Sequence, residues 1–314
     1  MNIKKLLLIF LSIIFFIYLF SKYDIKAVLN ALLSISPFYI IIFIVGSIFS
    51  QLIKSIQWII LVKIFTEYSL KDAFFALIIG TFSGRITPGQ VGDFSRGFIL
   101  SKATGISKSK ALSTVFMDKI ISYFSIFIIC FFSVFLNAFE VNNLLYLIAG
   151  FAFFFACIVA FFLYIKYNKF FIRIIPNKFR KRVSEISEKV NDAFKTLMSN
   201  KKALFKSLLV SIIYWLFTYF ITFVFLLGFK VYVPFYFVTL VFPLITIISM
   251  LPISFSGFGL REVSLVYFFG LLNIPAEGVI SFSLSSSILF ILSLFILNVL
   301  IANSKSLKIY QDKK

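Results

Sequence analysis

A chain of 314 residues that is 61% hydrophobic and 20% aromatic excludes a soluble domain, because runs of about 20 apolar residues are what a bilayer demands. Histidine is absent, which excludes every histidine-based base, triad or metal site. The formal charge of +19 falls in loops and one amphipathic segment, where cytoplasmic loops and anionic headgroups account for it better than nucleic acid does.

Ile3 to Phe20 is an apolar run behind Lys4 and Lys5. No small-residue cleavage site follows at Phe20-Ser21-Lys22, so the run is expected to be a first membrane helix rather than a removed leader. Phe38 to Val62 is the second, and Ser50, Lys54 and Gln57 recur on one of its faces. Lys54 is read either as snorkelling towards the cytoplasmic end or as lining a cavity. Ala73 to Gly84 is too short to span, a Pro/Gly break follows, and a second short piece runs from Val91 to Leu100. Leu112 to Leu136 is a full span with Asp118, Ser122 and Ser125 on one face; Leu144 to Ile165 is another. Cys130 and Cys157 sit in these apolar runs and are read as buried small hydrophobes.

Residues 166–202 carry 11 Lys/Arg against three acids, and Phe179, Val183, Ile186, Val190, Phe194 and Leu197 recur every three or four residues. That pattern predicts an amphipathic helix, lying on the inner membrane surface or making a short coiled-coil contact. Leu204 to Leu227 is a span, Pro234 to Met250 leads into a second break, and Val279 to Ala302 is a serine-rich final span. Its serines, Ser281 and Ser285 among them, are read as allowing close helix packing rather than as ligands.

Topology follows from where lysine and arginine accumulate. The 166–202 segment, the basic tail with Lys305 and Lys308, the 101–110 loop and the N-terminus are placed inside; the 137–143 link, with one acid and no base, is placed outside. The segment 73–100 must then start and finish inside, and 234–272 must start and finish outside. The expected fold is thus all-α: a polytopic transmembrane helix bundle with two re-entrant broken-helix hairpins in an inverted repeat. It forms one membrane domain, with a first half over 1–165, the basic segment 166–202, and a second half over 203–314.

Charge inside the breaks is where chemistry is expected, because charge at membrane depth is costly. In Thr87-Pro88-Gly89-Gln90-Val91-Gly92-Asp93-Phe94-Ser95-Arg96, Pro88 lacks an N–H, and Gly89 and Gly92 permit sharp turns. A helix starting near Val91 would offer free N–H groups to an anion. Arg85 and Arg96 are candidates for pairing with a phosphate, and Asp93 for orienting an arginine or contacting an ammonium group. The competing reading is that Pro/Gly merely ends a helix and the charges sit in a solvated loop. In the later break Pro252 closes one helix, Gly257 and Gly259 precede the next near Leu260, and Arg261 and Glu262 follow. Arg261 is the candidate phosphate contact and Glu262 the partner for a base or cationic headgroup; an ion pair of Glu262 with Arg85 or Arg96 is the alternative.

Pro88-Gly89-Gln90-Val91-Gly92-Asp93 with Arg96, Asp118 at the head of the next span, and Leu251-Pro252 with Gly257-Phe258-Gly259-Leu260-Arg261-Glu262 together resemble the flippase-like, lysylphosphatidylglycerol-synthase transmembrane-region family. The similarity runs from about residue 5 to 305. It implies a multi-pass plasma-membrane protein that moves or handles polar lipids, with N- and C-termini cytoplasmic. Members fused to a soluble synthase domain translocate aminoacylated phosphatidylglycerol; this chain reaches Lys314 with no such domain, so lipid synthesis is not expected. Asp93 stands where the family commonly shows Glu.

The reading is a flippase-like protein for phospho- or glycolipids, anionic or zwitterionic, with headgroup contacts from Arg85, Asp93, Arg96, Asp118, Arg261 and Glu262. The breaks at Pro88, Gly89, Gly92, Pro252, Gly257 and Gly259 would supply an anion nest. No catalytic residue, cofactor, metal or nucleic-acid partner is expected, and a cell-envelope biosynthesis enzyme is a candidate partner. A membrane-embedded transferase, with Asp93, Asp118 and Glu262 as base or cation ligands, and a non-catalytic subunit of lipid-linked glycan assembly are the alternatives.

Overall fold

The computed structural model describes residues 17–18, 21–136, 191–250 and 257–303. The expected first helix at 3–20 (apart from 17–18, which are helical), the span at 144–165, Cys157, the first part of the basic segment and Pro252 lie outside the described residues. Among the described residues the regular structure is helical throughout.

Four of the helices among the described residues are long and apolar enough to cross a membrane. The first element, α1 (Ile25–Leu33), opens where the Asp24 carboxylate accepts the Lys26 N–H at 2.8 Å. It is an element that the sequence reading omitted. Next, α2 (Pro37–Val62) starts with Ser36 as cap and Pro37 in the first turn, where its missing N–H costs nothing. At 26 residues it is ~39 Å long, more than the hydrocarbon thickness.

Two short helices follow. They are α3 (Leu70–Arg85) and α4 (Ser95–Thr104), joined through a 3-10 segment over Pro88–Phe94. The span α5 (Lys108–Leu136) comes next. Residues 191–199 are helical, and Phe194 and Leu197 are buried with Leu61, Met117 and Ile121. The described end of the amphipathic segment therefore lays its apolar face on the bundle itself. The span α6 (Lys201–Gly228) leads to a second short pair, α7 (Phe235–Met250) and α8 (Leu260–Gly270), and then to the last span, α9 (Ala276–Asn303).

Packing explains why the breaks meet. Helices α2 and α6 run antiparallel: Phe43 stacks on Phe225 at 4.3 Å, Phe49 meets Phe217, and Ser207 donates to the Gln57 carbonyl. Gly46 lets them close, since a Cβ there would lie 2.6 Å from the Ile221 side chain. In the first short pair Gly84 faces Asp93 and Gly80 faces Arg96, so the chain doubles back on itself. The second does the same, with Ser249 against Gly257 and Phe237 against Phe269. Phe225, Phe242, Phe269 and Phe282 form an aromatic core around this second pair. Helix α9 ties the halves together, packing Phe290 and Leu294 with Ile78 of α3 while Phe282 enters the other core.

Candidate functional site

Helix α2 presents Gln51, Lys54, Gln57 and Trp58 at helical spacing, and α5 presents Asp118, Lys119 and Ser122 opposite them. Asp93 and Arg96 enter between these faces from the first break. Arg96 Nη2 donates to Asp118 Oδ2 at 2.7 Å and lies 3.4 Å from Asp93 Oδ2. Lys54 Nζ donates to Asp118 Oδ1 at 3.0 Å and to Gln57 Oε1 at 2.8 Å, and also contacts Ser122 Oγ. Lys119 Nζ holds Asp93 Oδ2 at 2.7 Å. The Arg96 guanidinium lies over the Trp58 ring, 4.9 Å from its centroid, and Trp58 Nε1 is fixed by Thr114 Oγ1 at 3.1 Å.

Arg96 is 1% exposed and Asp118 0%, so the centre of this network is buried, while Lys54, Asp93 and Lys119 at its edge are 13%, 15% and 18% exposed. Buried charge survives only when paired, and here three cations share two carboxylates. Lys54 therefore lines an internal cavity and does not snorkel.

The backbone of the first break turns inward. The Gly92 N–H donates to Thr87 Oγ1 at 2.8 Å, the Gln90 N–H donates to the Thr87 carbonyl, and the Ser95 N–H returns to the Gly92 carbonyl. A Cβ on Gly92 would sit 2.2 Å from the Ser83 carbonyl oxygen, so only glycine fits. The α-helix begins at Ser95, after the 3-10 segment that Pro88 and Gly89 open, and not near Val91. The Gly92 N–H, expected to contribute to an anion nest, is occupied by Thr87 instead. Gln90 adopts φ +55°, a left-handed conformation uncommon outside glycine, and its side chain reaches the cavities described below.

The second break behaves similarly. Gly257 and Gly259 have φ of +80° and +82°, and α8 starts at Leu260 as its sequence predicts. The Gly259 N–H donates to Glu262 Oε2 at 2.7 Å, and Ser283 Oγ donates to Glu262 Oε1 at 2.6 Å. Glu262 is fully buried, so an internal carboxylate already occupies the positive end of α8. Among the described residues no ion pair joins Glu262 to Arg85 or Arg96.

Arg85 and Arg261 differ from the cations above. Arg261 donates to Ser287 Oγ at 2.7 Å and to Ser286 Oγ at 2.9 Å, and Arg85 lies over the Phe290 ring at 4.8 Å. Neither has a carboxylate partner among the described residues. Both line a cavity of about 190 Å³ whose walls also include Ser50, Gln51, Gln90, Tyr214, Trp215 and Ser286. A second cavity of about 140 Å³ adjoins it, sharing Gln51, Arg85 and Gln90 and reaching Asp93, Arg96 and Asp118.

Asp93, Arg96 and Asp118 are thus brought into one network, Arg85 and Arg261 onto one cavity, and Glu262 into the cap beneath Arg261. Sequence reasoning missed Lys119, Gln51, Gln90, Trp215, Ser286 and Ser287. The serines carried a signal that was read as packing alone, and Gln51 lies one turn from the flagged Lys54.

The family model "Lysylphosphatidylglycerol synthase TM region" matches residues 4–299. The chain is similar to a UPF0104 membrane protein of Methanocaldococcus jannaschii, 25% identical over 298 residues that cover 87% of this chain and 86% of that protein. No solved structure matches.

Proposed function

This chain belongs to the lysylphosphatidylglycerol synthase transmembrane-region family, and from that premise we propose that it moves polar lipids across the cytoplasmic membrane. The two doubled-back pairs, α3–α4 and α7–α8, act as re-entrant hairpins entering from opposite faces in an inverted repeat, with both termini cytoplasmic. The lipid headgroup occupies the cavities between them while the acyl chains remain in the bilayer. Arg85 and Arg261 contact the headgroup; Asp93, Arg96, Asp118 and Glu262 hold the two breaks in place.

One observation carries this reading: Arg85 and Arg261, one from each broken pair, face the same cavity, and neither is ion-paired among the described residues, the nearby Glu262 being held by Ser283 and the Gly259 N–H. A guanidinium in a helical membrane bundle needs an anion, and its planar fork suits a phosphate. The test is vesicle reconstitution with fluorescent phosphatidylglycerol and an impermeant quencher. The wild type should expose label from the inner leaflet, and Arg85→Gln and Arg261→Gln should each slow this at least about tenfold. Wild-type exposure no faster than in protein-free vesicles, or full activity in both variants, would end the proposal.

A further inference from the structure

Resting on the reading that this cavity takes a lipid headgroup, we infer its chemical class: a phosphate monoanion bearing an uncharged, hydroxylated group, with cationic headgroups turned away. The argument is a charge count. Around the two cavities stand five cations (Lys54, Arg85, Arg96, Lys119 and Arg261) against two carboxylates (Asp93 and Asp118); counting also Glu262, which lines only the small pocket beside Arg85 and Arg261, still leaves a surplus of two positive charges among the described residues.

The carboxylates are also committed. Asp118 is shared by Lys54 and Arg96, Asp93 by Arg96 and Lys119, and Glu262 by Ser283 and the Gly259 N–H. An ammonium entering here would meet Asp93 or Asp118 only beside a cation already bound to it, and Glu262 only next to Arg261 with both carboxylate oxygens already accepting hydrogen bonds. Like charge in a low-dielectric site is strongly disfavoured. A phosphate between Arg85 and Arg261 balances part of the surplus and gains charge-assisted hydrogen bonds.

The remaining walls specify the rest of the headgroup. Beyond the arginines the larger cavity offers hydroxyls, amides and aromatic rings: Ser50, Gln51, Gln90, Thr218, Tyr214 and Trp215. Trp215 Nε1 is buried with no hydrogen-bond partner among the described residues, a donor waiting for an acceptor. Gln90 is held in its uncommon left-handed backbone with its side chain on this wall. Neutral donors and acceptors beside aromatic faces suit a glycerol, inositol or sugar hydroxyl set, and among the described residues this wall holds no carboxylate to pair with an amine.

The experiment is a native mass-spectrometry titration of the purified full-length protein with six probes. Phosphatidylglycerol and phosphatidylinositol are expected to bind at least about tenfold tighter than lysylphosphatidylglycerol and than an uncharged diglucosyl diacylglycerol. Phosphatidylmethanol, with the same charge and no hydroxyls, is expected to fall several-fold below phosphatidylglycerol. Arg85→Gln and Arg261→Gln should each erase the preference for the phosphate-bearing lipids, and thermal unfolding in detergent confirms that both variants are folded. Lysylphosphatidylglycerol or the neutral glycolipid binding as tightly as phosphatidylglycerol overturns the inference, as does phosphatidylmethanol at equal affinity. Free glycerol 3-phosphate binding as tightly as phosphatidylglycerol also overturns it, in favour of a soluble phosphate. Selective binding without movement in vesicles supports this inference and sinks the transport proposal, whereas rapid movement of lysylphosphatidylglycerol does the reverse.

Discussion

Replacing Asp118 by Asn is the sharpest test of the buried network. Asp118 is fully buried, with Arg96 at 2.7 Å and Lys54 at 3.0 Å. At an effective dielectric of about 20, two such contacts amount to about 6 and about 5.5 kcal/mol of Coulomb attraction, most of it set against desolvation of the ions. What a variant loses is the penalty of leaving a buried cation uncompensated, about 3–5 kcal/mol. The substitution raises the local surplus from one positive charge to two, because Asp93 alone then faces Lys54, Arg96 and Lys119. Adding Lys54→Met restores the original surplus while keeping side-chain bulk, so the double variant should recover most of the loss. Denaturant or steric-trapping titrations in lipid micelles would give both free energies, and the thermodynamic cycle isolates the coupling. A loss below about 1 kcal/mol for Asp118→Asn, or a double variant no more stable than the single one, would refute the charge argument.

Other outcomes follow from single contacts. Gly92→Ala should destabilise by about 3 kcal/mol or more, since its Cβ would lie 2.2 Å from backbone at Ser83; Gly105→Ala, whose Cβ meets nothing within 4 Å, tests backbone strain alone at about 1 kcal/mol, both read from unfolding midpoints. Glu262→Ala removes the acceptor of the Gly259 N–H and of Ser283 and should cost about 2–3 kcal/mol, with Glu262→Gln recovering part of it in the same unfolding assay. The double variant Ser286→Ala/Ser287→Ala releases Arg261 from its two hydroxyl partners, and should weaken phosphatidylglycerol binding several-fold at nearly unchanged stability. Lys195→Ala, whose partner Asp192 is exposed, should leave both binding and stability within about 0.5 kcal/mol of wild type.

The spans were legible because apolar length is a strong signal. Phe38–Val62, Leu112–Leu136, Leu204–Leu227 and Val279–Ala302 all fall within helices that start one to four residues earlier and end at the same residue or one later. The breaks were legible because proline, glycine and charge are out of place in lipid-like sequence. What composition concealed was the use of the backbone at those breaks. Whether Gly92 offers its N–H to a ligand or to Thr87 depends on a hydroxyl five residues away folding back, a tertiary fact. The start of α4 slipped for the same reason: Gln90 and Val91 lie in a 3-10 segment stabilised by Thr87, so the α-helix waits until Ser95. Helix α1 escaped notice because it is nine residues long and buries only Val28. Lys54 remained open between two readings until Asp118, far along the chain, was placed against it.

The cations divide by the partners they keep, and that division locates the site. Lys54, Arg96 and Lys119 each touch a carboxylate, although Arg96 leaves Nε and Nη1 without a hydrogen-bond partner among the described residues; removing any of the three perturbs a network that holds α2, α5 and the first break together. Arg261 instead rests on two serine hydroxyls, which orient a guanidinium without cancelling its charge. Arg85 rests on the face of Phe290, which does the same more weakly. Helix α9 supplies both supports, Phe290 for the arginine of the first half and Ser286 and Ser287 for that of the second. Any motion that shifts α9 against α3 or α8 therefore changes the spacing of the two free charges. The neutral residues of α9, which look like packing in the sequence, set how the anion is gripped and released.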